Sequence, residues 1–250
     1  MPGLQIFGIP GLPEITSDSD LPTAIAAAAA AANTPLESGD VLVVTSKIVS
    51  KAEGRTVELA KVEVSPFAQQ YAERWEKEPA IVELVLREAK RVVRQLGPVM
   101  ITETHHGFIC ANSGVDQSSS GGHGLAVLLP VDPDASAARI RAALRVRGLD
   151  VAVIVSDTFG RPWREAQTDI AIGIAGMQPV LSYIGQVDPH GHEFRVQALC
   201  HADELAGAAE LVKGNLSRVP AAIIRGHAWE PDDTATMRSV IRDSERDLFR

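Results

Sequence analysis

The chain has 250 residues, 45% apolar and 22% charged, as expected for a globular protein of one large domain or two closely packed lobes. Its net charge of −8 argues against non-specific nucleic-acid binding, because that function needs a basic surface to neutralise phosphates. No apolar run approaches the ~20 residues of a membrane span, the N-terminus lacks a signal-peptide pattern, and the widely spaced Cys110 and Cys200 favour a reducing cytoplasm.

The first predicted elements are a strand and a capped helix. Residues 4–9 are mainly apolar and suit a short strand. Asp20 then stands before Pro22 and an alanine run over residues 26–32, which combines an acidic N-cap, a proline in the first turn and a strong helix former. The small alanine side chains predict a closely packed helix.

A second predicted strand, residues 41–44, leads directly into a basic helix start. If that helix begins near Ser46, Lys47 and Lys51 lie four residues apart on one face. Amides at a helix start, together with two lysines, form a cradle for an anion. The chain has no GxxxxGK[ST] motif, so this is not a Walker A loop. The alternative is two lysines on a solvent-facing helix.

The middle of the chain predicts further elements and one more acidic candidate. Residues 57–64 suit a strand, residues 79–95 a basic amphipathic helix whose charges form either an anion site or a solvated face, and residues 99–104 a strand. A segment rich in glycine and hydroxyl residues then surrounds Asp116, where backbone can approach a ligand closely. Asp116 is therefore a candidate site residue.

The most informative stretch begins with the buried strand pattern of residues 151–155. A helix over residues 136–147, capped by Asp134, precedes this strand. Asp157 and Thr158 follow at its predicted end, where open α/β sheets bind ligands. An irregular loop then carries two cations suited to phosphate or carboxylate, Arg161 and Arg164. This combination indicates a site for a metal-bound polyanion; the alternative is a capped strand followed by a solvated loop.

The C-terminal third predicts a hairpin, a helix and a last strand. The hairpin covers residues 180–199, with two histidines in an exposed turn, and the helix covers residues 202–212. Residues 219–225 predict the final strand. From Glu230 the chain is rich in charge, which predicts a loose tail or a linker, so the main domain is expected to span residues 1–229 and the tail residues 230–250.

Four long motifs and a shorter one carry a resemblance to a known family. They are GDVLVVTSKIVSKAEGR at residues 39–55, ICANSGVDQS at 109–118, SDTFGRPWREAQTDIAIGIAG at 156–176, ADELAGAAELVKG at 202–214 and GIPGLPEI near the start. In this order they make the chain resemble the coenzyme F420-0:L-glutamate ligases. The resemblance implies an α/β (α+β) fold of mixed β-sheets with packed helices in two intimate lobes, assembled as an intertwined homodimer. Some relatives continue into a flavin-binding, nitroreductase-like domain, and this chain stops near where that domain would start.

The resemblance also implies a set of ligands. Mg²⁺ or Mn²⁺, with a monovalent cation such as K⁺, is expected at Asp116, Asp157 and Thr158. The nucleotide contacts carry onto Asp20, Leu21, Pro22, Thr23, Ser50, Arg55 and Ser119. From charge and placement, Lys47, Lys51, Arg161 and Arg164 are the candidates for contacting phosphate groups and the organic substrate.

The expected reaction is a GTP-dependent amide synthesis in the cytoplasm. GTP would convert the lactyl carboxylate of coenzyme F420-0 into an acyl phosphate, which the amine of L-glutamate then attacks, without nucleic acid or membrane taking part. Two alternatives stay open from the residues alone. One is a metal-dependent phosphoester hydrolase, because acids and hydroxyls at strand ends also suit attack by water. The other is a non-catalytic GTP-binding module of a larger enzyme.

Overall fold

The computed structural model describes residues 3–117 and 124–248. Within these ranges the helices are α1 Leu21–Ala31, α2 Ser46–Ala52, α3 Pro66–Trp75, α4 Pro79–Glu88, α5 Pro133–Val146 and α6 His201–Lys213. The strands of the same ranges are β1 Gln5–Gly8, β2 Val41–Thr45, β3 Thr56–Glu58, β4 Ala89–Leu96, β5 Val99–Thr104, β6 Ile109–Ala111, β7 Leu125–Val127, β8 Ala152–Arg161, β9 Arg164–Met177, β10 Val180–Ser182, β11 Ala198–Cys200, β12 Ala221–Arg225 and β13 Pro231–Asp232. In this part of the chain, no helix is both long and apolar enough to cross a membrane.

The central sheet has six strands in the order β1-β12-β2-β8-β9-β13. The two middle strands, β2 and β8, run parallel, and the other neighbours are antiparallel. Three smaller sheets, β4-β5-β6, β3-β7 and β10-β11, complete the described architecture. The predicted mixed α/β fold is therefore confirmed.

Alternating side chains of β2 and β8 fill two apolar cores, one on each face of the central sheet. Leu42 and Val153 face the core shared with α1, α2 and α5, whereas Val43 and Ile154 face the core shared with α6. Consecutive strand residues point to opposite faces, so a strand covered on both faces needs an unbroken apolar run. This is why both strands could be predicted from sequence. A separate apolar cluster joins α3, α4 and β5.

Helix α1 begins where its sequence predicts. The carboxylate of Asp20 accepts hydrogen bonds from the amide and the hydroxyl of Thr23, and Pro22 lies in the first turn. Helix α5 is capped differently from the prediction, because Asp132 rather than Asp134 accepts the hydrogen bond from the amide of Ala135. The carboxylate of Asp134 instead accepts from the amides of Ile174 and Met237, and so ties the helix start to β9 and the C-terminal segment.

The single helix predicted over residues 79–95 is wrong in its second half. Helix α4 ends at Glu88, and the chain continues as β4, which pairs with β5. Lys90 and Arg91 both bind the buried carboxylate of Glu103, at 3.1 and 2.7 Å. The predicted strand over residues 57–64 also shortens to β3, followed by a 3-10 turn. After Glu88, pairing with β5 overrides the local helical periodicity.

The strand predicted to end at Val155 continues to Arg161. It forms a hairpin with β9, in which Arg161 pairs with Arg164 across Pro162 and Trp163. Ser156, Asp157 and Thr158 therefore lie within a strand rather than at its end. Their backbone groups are satisfied by β9, so their polar side chains need not interrupt the strand.

The segment after Glu230, predicted as a tail or a linker, contacts the central sheet and α5 through its first residues. Strand β13 pairs with the end of β9, and the side chain of Met237 is only 3% exposed. Asp233 forms ion pairs with Arg141 and Arg145 of α5. This segment therefore packs against the body of the protein.

Candidate functional site

Polar side chains meet where β2 passes into α2, beside the middle of β8. The parallel register pairs Thr45 with Ser156, which brings the next residue of each strand together. The hydroxyl of Ser46 donates a hydrogen bond to Oδ1 of Asp157, at 2.8 Å. A contact across 111 residues of sequence thus depends on the register of two buried strands.

Lys47 links this pair to Asp116. Its Nζ lies 2.6 Å from Oδ2 of Asp116, and both side chains are partly exposed. The backbone of Asp116 is held by two hydrogen bonds to Val127, at 3.0 and 2.8 Å. The positive charge of Lys47 also lowers the pKa of Asp157. Two carboxylates from distant segments therefore act on one ammonium group at the edge of the buried core.

Burial raises the pKa of Asp157 to about 6. The hydrogen bond from Ser46 and the charge of Lys47 oppose this increase, while the nearby charge of Asp169 adds to it. The pKa of Asp157 thus stays below neutral pH, although the residue is only partly exposed. A buried negative charge of this kind attracts a cation or a proton.

A second polar group occupies the other face of β8. The hydroxyl of Thr158 donates to Oδ1 of Asp169 at 2.6 Å, and the hydroxyl of Ser156 donates to Oδ2 at 2.9 Å. Lys213, at the end of α6, donates to the same Oδ2 at 2.7 Å and to Ser156 at 2.8 Å. The side chains of Lys213 and Asp169 are each 3% exposed, so this is a buried ion pair.

Sequence reasoning missed Ser46, Asp169 and Lys213. The signal for Asp169 was its position in a mainly apolar run, where an acid needs a partner. The signal for Lys213 was weaker, because a lysine in the last turn of a helix is ordinary. Neither pattern identifies the partner, which the fold supplies from 44 residues away.

The side chains of the three predicted metal ligands do not all point to the same side of β8. Asp116 and Asp157 converge on Lys47, whereas the side chain of Thr158 points to the opposite face of β8, toward Asp169. Carboxylate oxygens are the donors that Mg²⁺ and Mn²⁺ prefer, so the two acids fit a hard divalent cation. In residues 3–117 and 124–248, no three His, Cys, Asp or Glu side chains form a metal-binding group. Further donors would therefore be hydroxyl, water or phosphate oxygens.

The predicted nucleotide contacts are distributed over several places. Lys51 binds the carboxylate of Glu14 at 2.6 Å, and Arg55 binds Glu88 at 2.7 Å and the carbonyl of Leu129 at 3.0 Å. The hydroxyl of Ser50 is buried and has no hydrogen-bond partner within the described residues. Ser119 lies outside the described residues.

Two cavities lie apart from Lys47 and Asp157. Asp20, Leu21 and Pro22 of the predicted nucleotide contacts line a cavity of about 260 Å³ together with other residues of α2 and α5. Thr23 bonds to Asp20 and Arg147 beside it. A larger cavity of about 540 Å³ lies between α5, β9 and the C-terminal segment. Neither lining includes Lys47, Asp116 or Asp157.

Arg161 and Arg164 stand at the tip of the β8–β9 hairpin. Nη2 of Arg161 donates to the carbonyl of Glu165 at 3.3 Å, and its Nε is buried without a hydrogen-bond partner among the described residues. Arg161 is four strand residues beyond Asp157, a distance of ~13 Å along β8. The structure therefore places the two arginines on the same strand pair as Asp157 but outside its immediate contacts.

The chain belongs to the family described as F420-0:Gamma-glutamyl ligase, whose model matches residues 11–226. It is 39% identical over 251 residues to the coenzyme F420:L-glutamate ligase of Methanothermobacter thermautotrophicus, with 99% of each chain covered. It is 41% identical over 255 residues to the enzyme of that name from Methanopyrus kandleri, covering 100% of this chain and 99% of the relative. It is 41% identical over 256 residues to the enzyme of that name from Halobacterium salinarum, covering 99% of this chain and 97% of the relative.

Proposed function

We propose that this chain is a coenzyme F420:L-glutamate ligase of coenzyme F420 biosynthesis. It uses GTP to join the lactyl carboxylate of coenzyme F420-0 to the amine of L-glutamate through an amide bond. Family membership over residues 11–226 and full-length relatives of that name support the activity. The structural observation that carries it is the convergence of Asp116 and Asp157 on Lys47, beside the start of a helix.

The chemistry explains why such a cluster is needed. A carboxylate is a poor acyl donor, and phosphoryl transfer from GTP converts it into an acyl phosphate that an amine can attack. Both steps require that phosphate charge is neutralised and that the reacting groups are held in line. Lys47 and Lys51 supply positive charge close to acidic partners, so a phosphate group would share them with Asp116 and Glu14.

Asp116 and Asp157 are the proposed side-chain ligands of Mg²⁺ or Mn²⁺, with K⁺ as an accompanying monovalent cation. Thr158 belongs to the same proposed site, but its hydroxyl faces Asp169 on the other side of β8, so its side chain is not a ligand of that ion in this arrangement. When bound, the divalent cation neutralises phosphate charge during phosphoryl transfer. Asp157 contributes a carboxylate that is ionised above a pKa of about 6. Ser46 orients this carboxylate by its hydrogen bond at 2.8 Å.

The nucleotide contacts at Asp20, Leu21, Pro22, Thr23, Ser50, Arg55 and Ser119 remain part of the proposal. The cavity that Asp20 lines is bounded by Val49 and Ala52 of α2, whereas Lys47 and Lys51 bind acids elsewhere. Separate GTP titrations of Asp20→Ala and Lys51→Ala therefore locate the nucleotide. If only Asp20→Ala loses affinity for GTP, the nucleotide lies in the cavity beside Val49 and Ala52. If only Lys51→Ala loses affinity, the nucleotide lies on the side of α2 where Lys51 pairs with Glu14.

We also propose that the protein is a homodimer. The arm formed by β4 and β5 carries exposed apolar side chains, including Leu96, which is 74% exposed, and Val99. Apolar side chains grouped on an extended hairpin suit burial against a second copy. Leu96→Asp should shift the protein toward the monomer in analytical ultracentrifugation, and wild-type protein that is monomeric at micromolar concentration would contradict the dimer.

Mass spectrometry of F420-0 after incubation with the protein, GTP, Mg²⁺ and glutamate tests the activity directly. The expected product has gained one or more glutamyl units, with an equal amount of GDP formed. Phosphate release that ignores added glutamate would support a metal-dependent phosphoester hydrolase instead. Tight GTP binding without turnover would support a non-catalytic GTP-binding module.

A further inference from the structure

Trp163 occupies an unusual place at the tip of the β8–β9 hairpin. Its side chain is 83% exposed, and its backbone is left-handed, with φ of 63°. Pro162 precedes it in a two-residue turn, and Gly or Asn is the ordinary residue after such a proline. A bulky side chain in this left-handed conformation is strained.

The surroundings of Trp163 are cationic. Arg161 and Arg164 flank it in sequence and pair across the hairpin. The buried Nε of Arg161 has no hydrogen-bond partner within the described ranges, so this guanidinium retains an unused donor. An exposed aromatic side chain on a turn that carries two arginines suits a ligand with a planar ring and an anionic chain.

The hairpin also connects this tip to the proposed reaction site. Asp157 lies on the same strand, ~13 Å from Arg161 along β8. The substrate in the proposed function has its reacting carboxylate at one end, a phosphodiester and a ribityl chain in the middle, and a deazaflavin ring at the other end. The extended chain of such a molecule and the length of this strand segment are of the same order.

We propose that Trp163 stacks on the deazaflavin ring of the substrate, while Arg161 and Arg164 contact its anionic phosphodiester. This inference rests on the proposed function and adds the residue that recognises the ring. Trp163 then contributes to affinity for F420-0 and has no part in binding GTP or glutamate.

Trp163→Gly and Trp163→Phe test the proposal without threatening the fold. Glycine relieves the left-handed backbone, so Trp163→Gly should melt close to wild type, and phenylalanine keeps an aromatic face. In Trp163→Gly the Kd and KM for F420-0 should rise about tenfold or more. The KM for GTP and the kcat should change little, and Trp163→Phe should recover most of the affinity.

A truncated substrate supplies the matched control. A lactyl phosphodiester without the ring should bind wild type and Trp163→Gly equally, but should bind Arg161→Ala and Arg164→Ala more weakly. Unchanged F420-0 affinity in Trp163→Gly, with active wild-type enzyme, overturns the stacking role alone. Loss of dimerisation in Trp163→Gly at unchanged F420-0 affinity also overturns it, because the residue then belongs to a subunit interface. Wild-type protein that neither binds nor extends F420-0 overturns this inference and the proposed function together.

Discussion

At the scale of single residues, Asp157 is an acid whose environment opposes its charge. Burial raises its pKa, whereas the hydrogen bond from Ser46, the charge of Lys47 and a backbone hydrogen bond from Thr158 favour the ionised form. Such an arrangement destabilises the folded protein at neutral pH unless a cation is present. The residue is therefore more easily explained by binding than by stability.

Asp157→Asn should abolish ligase activity and stabilise the metal-free fold at neutral pH. In the folded protein the pKa of Asp157 is raised from 3.8 to about 6. The contribution of its protonated carboxyl to stability is therefore complete below pH ~4 and is lost as pH rises through about 6. Asparagine carries no such charge. The free energy of unfolding of the variant should therefore exceed that of wild type on the order of 1–3 kcal/mol at pH 7.5, and the two should be equal near pH 4. Urea unfolding with chelator at both pH values measures this difference.

Asp18 is exposed, so Asp18→Asn is the control that shows how far removal of any carboxylate charge changes the free energy of unfolding. If Asp157 and Asp116 act as one unit, Asp116→Asn should cause a similar loss of turnover, and the double variant should be little worse than either single one. Near-normal turnover in Asp157→Asn would end the metal-site hypothesis.

Lys47→Ala and Lys51→Ala should weaken GTP binding more than they alter folding. Hydrogen bonds from ammonium to phosphate are charge-assisted, so each loss should raise the Kd for GTP roughly tenfold or more. Lys61→Ala is the matched control, because Lys61 also pairs with an acid, Glu58, but on an exposed surface. Isothermal titration of GTP compares the three variants, and equal Kd values in all of them would leave Lys47 and Lys51 with only their ion pairs to Asp116 and Glu14.

At the scale of elements, the buried pair of Asp169 and Lys213 joins the end of α6 to the β8–β9 hairpin. The same carboxylate accepts the hydroxyls of Ser156 and Thr158, so one side of β8 is held by a connected network. A connected network of this kind fixes the register and rotamers near the site.

Lys213→Met should destabilise the protein by about 3–5 kcal/mol, because it leaves the charge of Asp169 buried without its counter-ion. The double variant Asp169→Asn with Lys213→Met should recover much of this loss, since no buried charge remains. Urea denaturation of the two single variants, the double variant and wild type measures the coupling. If the double variant loses as much free energy of unfolding as the two single variants together, the interaction between Asp169 and Lys213 does not contribute to stability.

At the scale of the whole molecule, the C-terminal segment closes one edge of the central sheet. Strand β13 covers β9, Met237 enters the core beside α6, and Asp233 neutralises two arginines of α5. The segment after Glu230 thus stabilises the same sheet that carries Asp157.

Ending the chain at Glu230 should lower stability on the order of 2–4 kcal/mol, because Met237 leaves a cavity and Arg141 loses a partner. A chain that ends at Arg242 is the control, since it retains both Met237 and Asp233. Thermal unfolding of the two truncations compares them with the full chain. Equal melting temperatures for all three would support a loose tail after all.

The sequence alone determined the elements whose signals are local. The unbroken apolar runs of β2 and β8 required burial on both faces, and Asp20 with Pro22 specified the start of α1. The motifs of the family resemblance placed Asp116 and Asp157 among the candidates, and charge and placement added Lys47. Each of these depends on neighbouring residues or on short motifs.

Only the tertiary structure decided which side chains meet. The partners Ser46 and Asp157 are 111 residues apart, and Lys213 and Asp169 are 44 residues apart. Residues 89–96 became β4 because β5 and Glu103 were available to pair with them, although their periodicity also suits a helix. Periodicity and capping act over a few residues, whereas strand register and packing join distant segments, and the candidate site is built from those distant contacts.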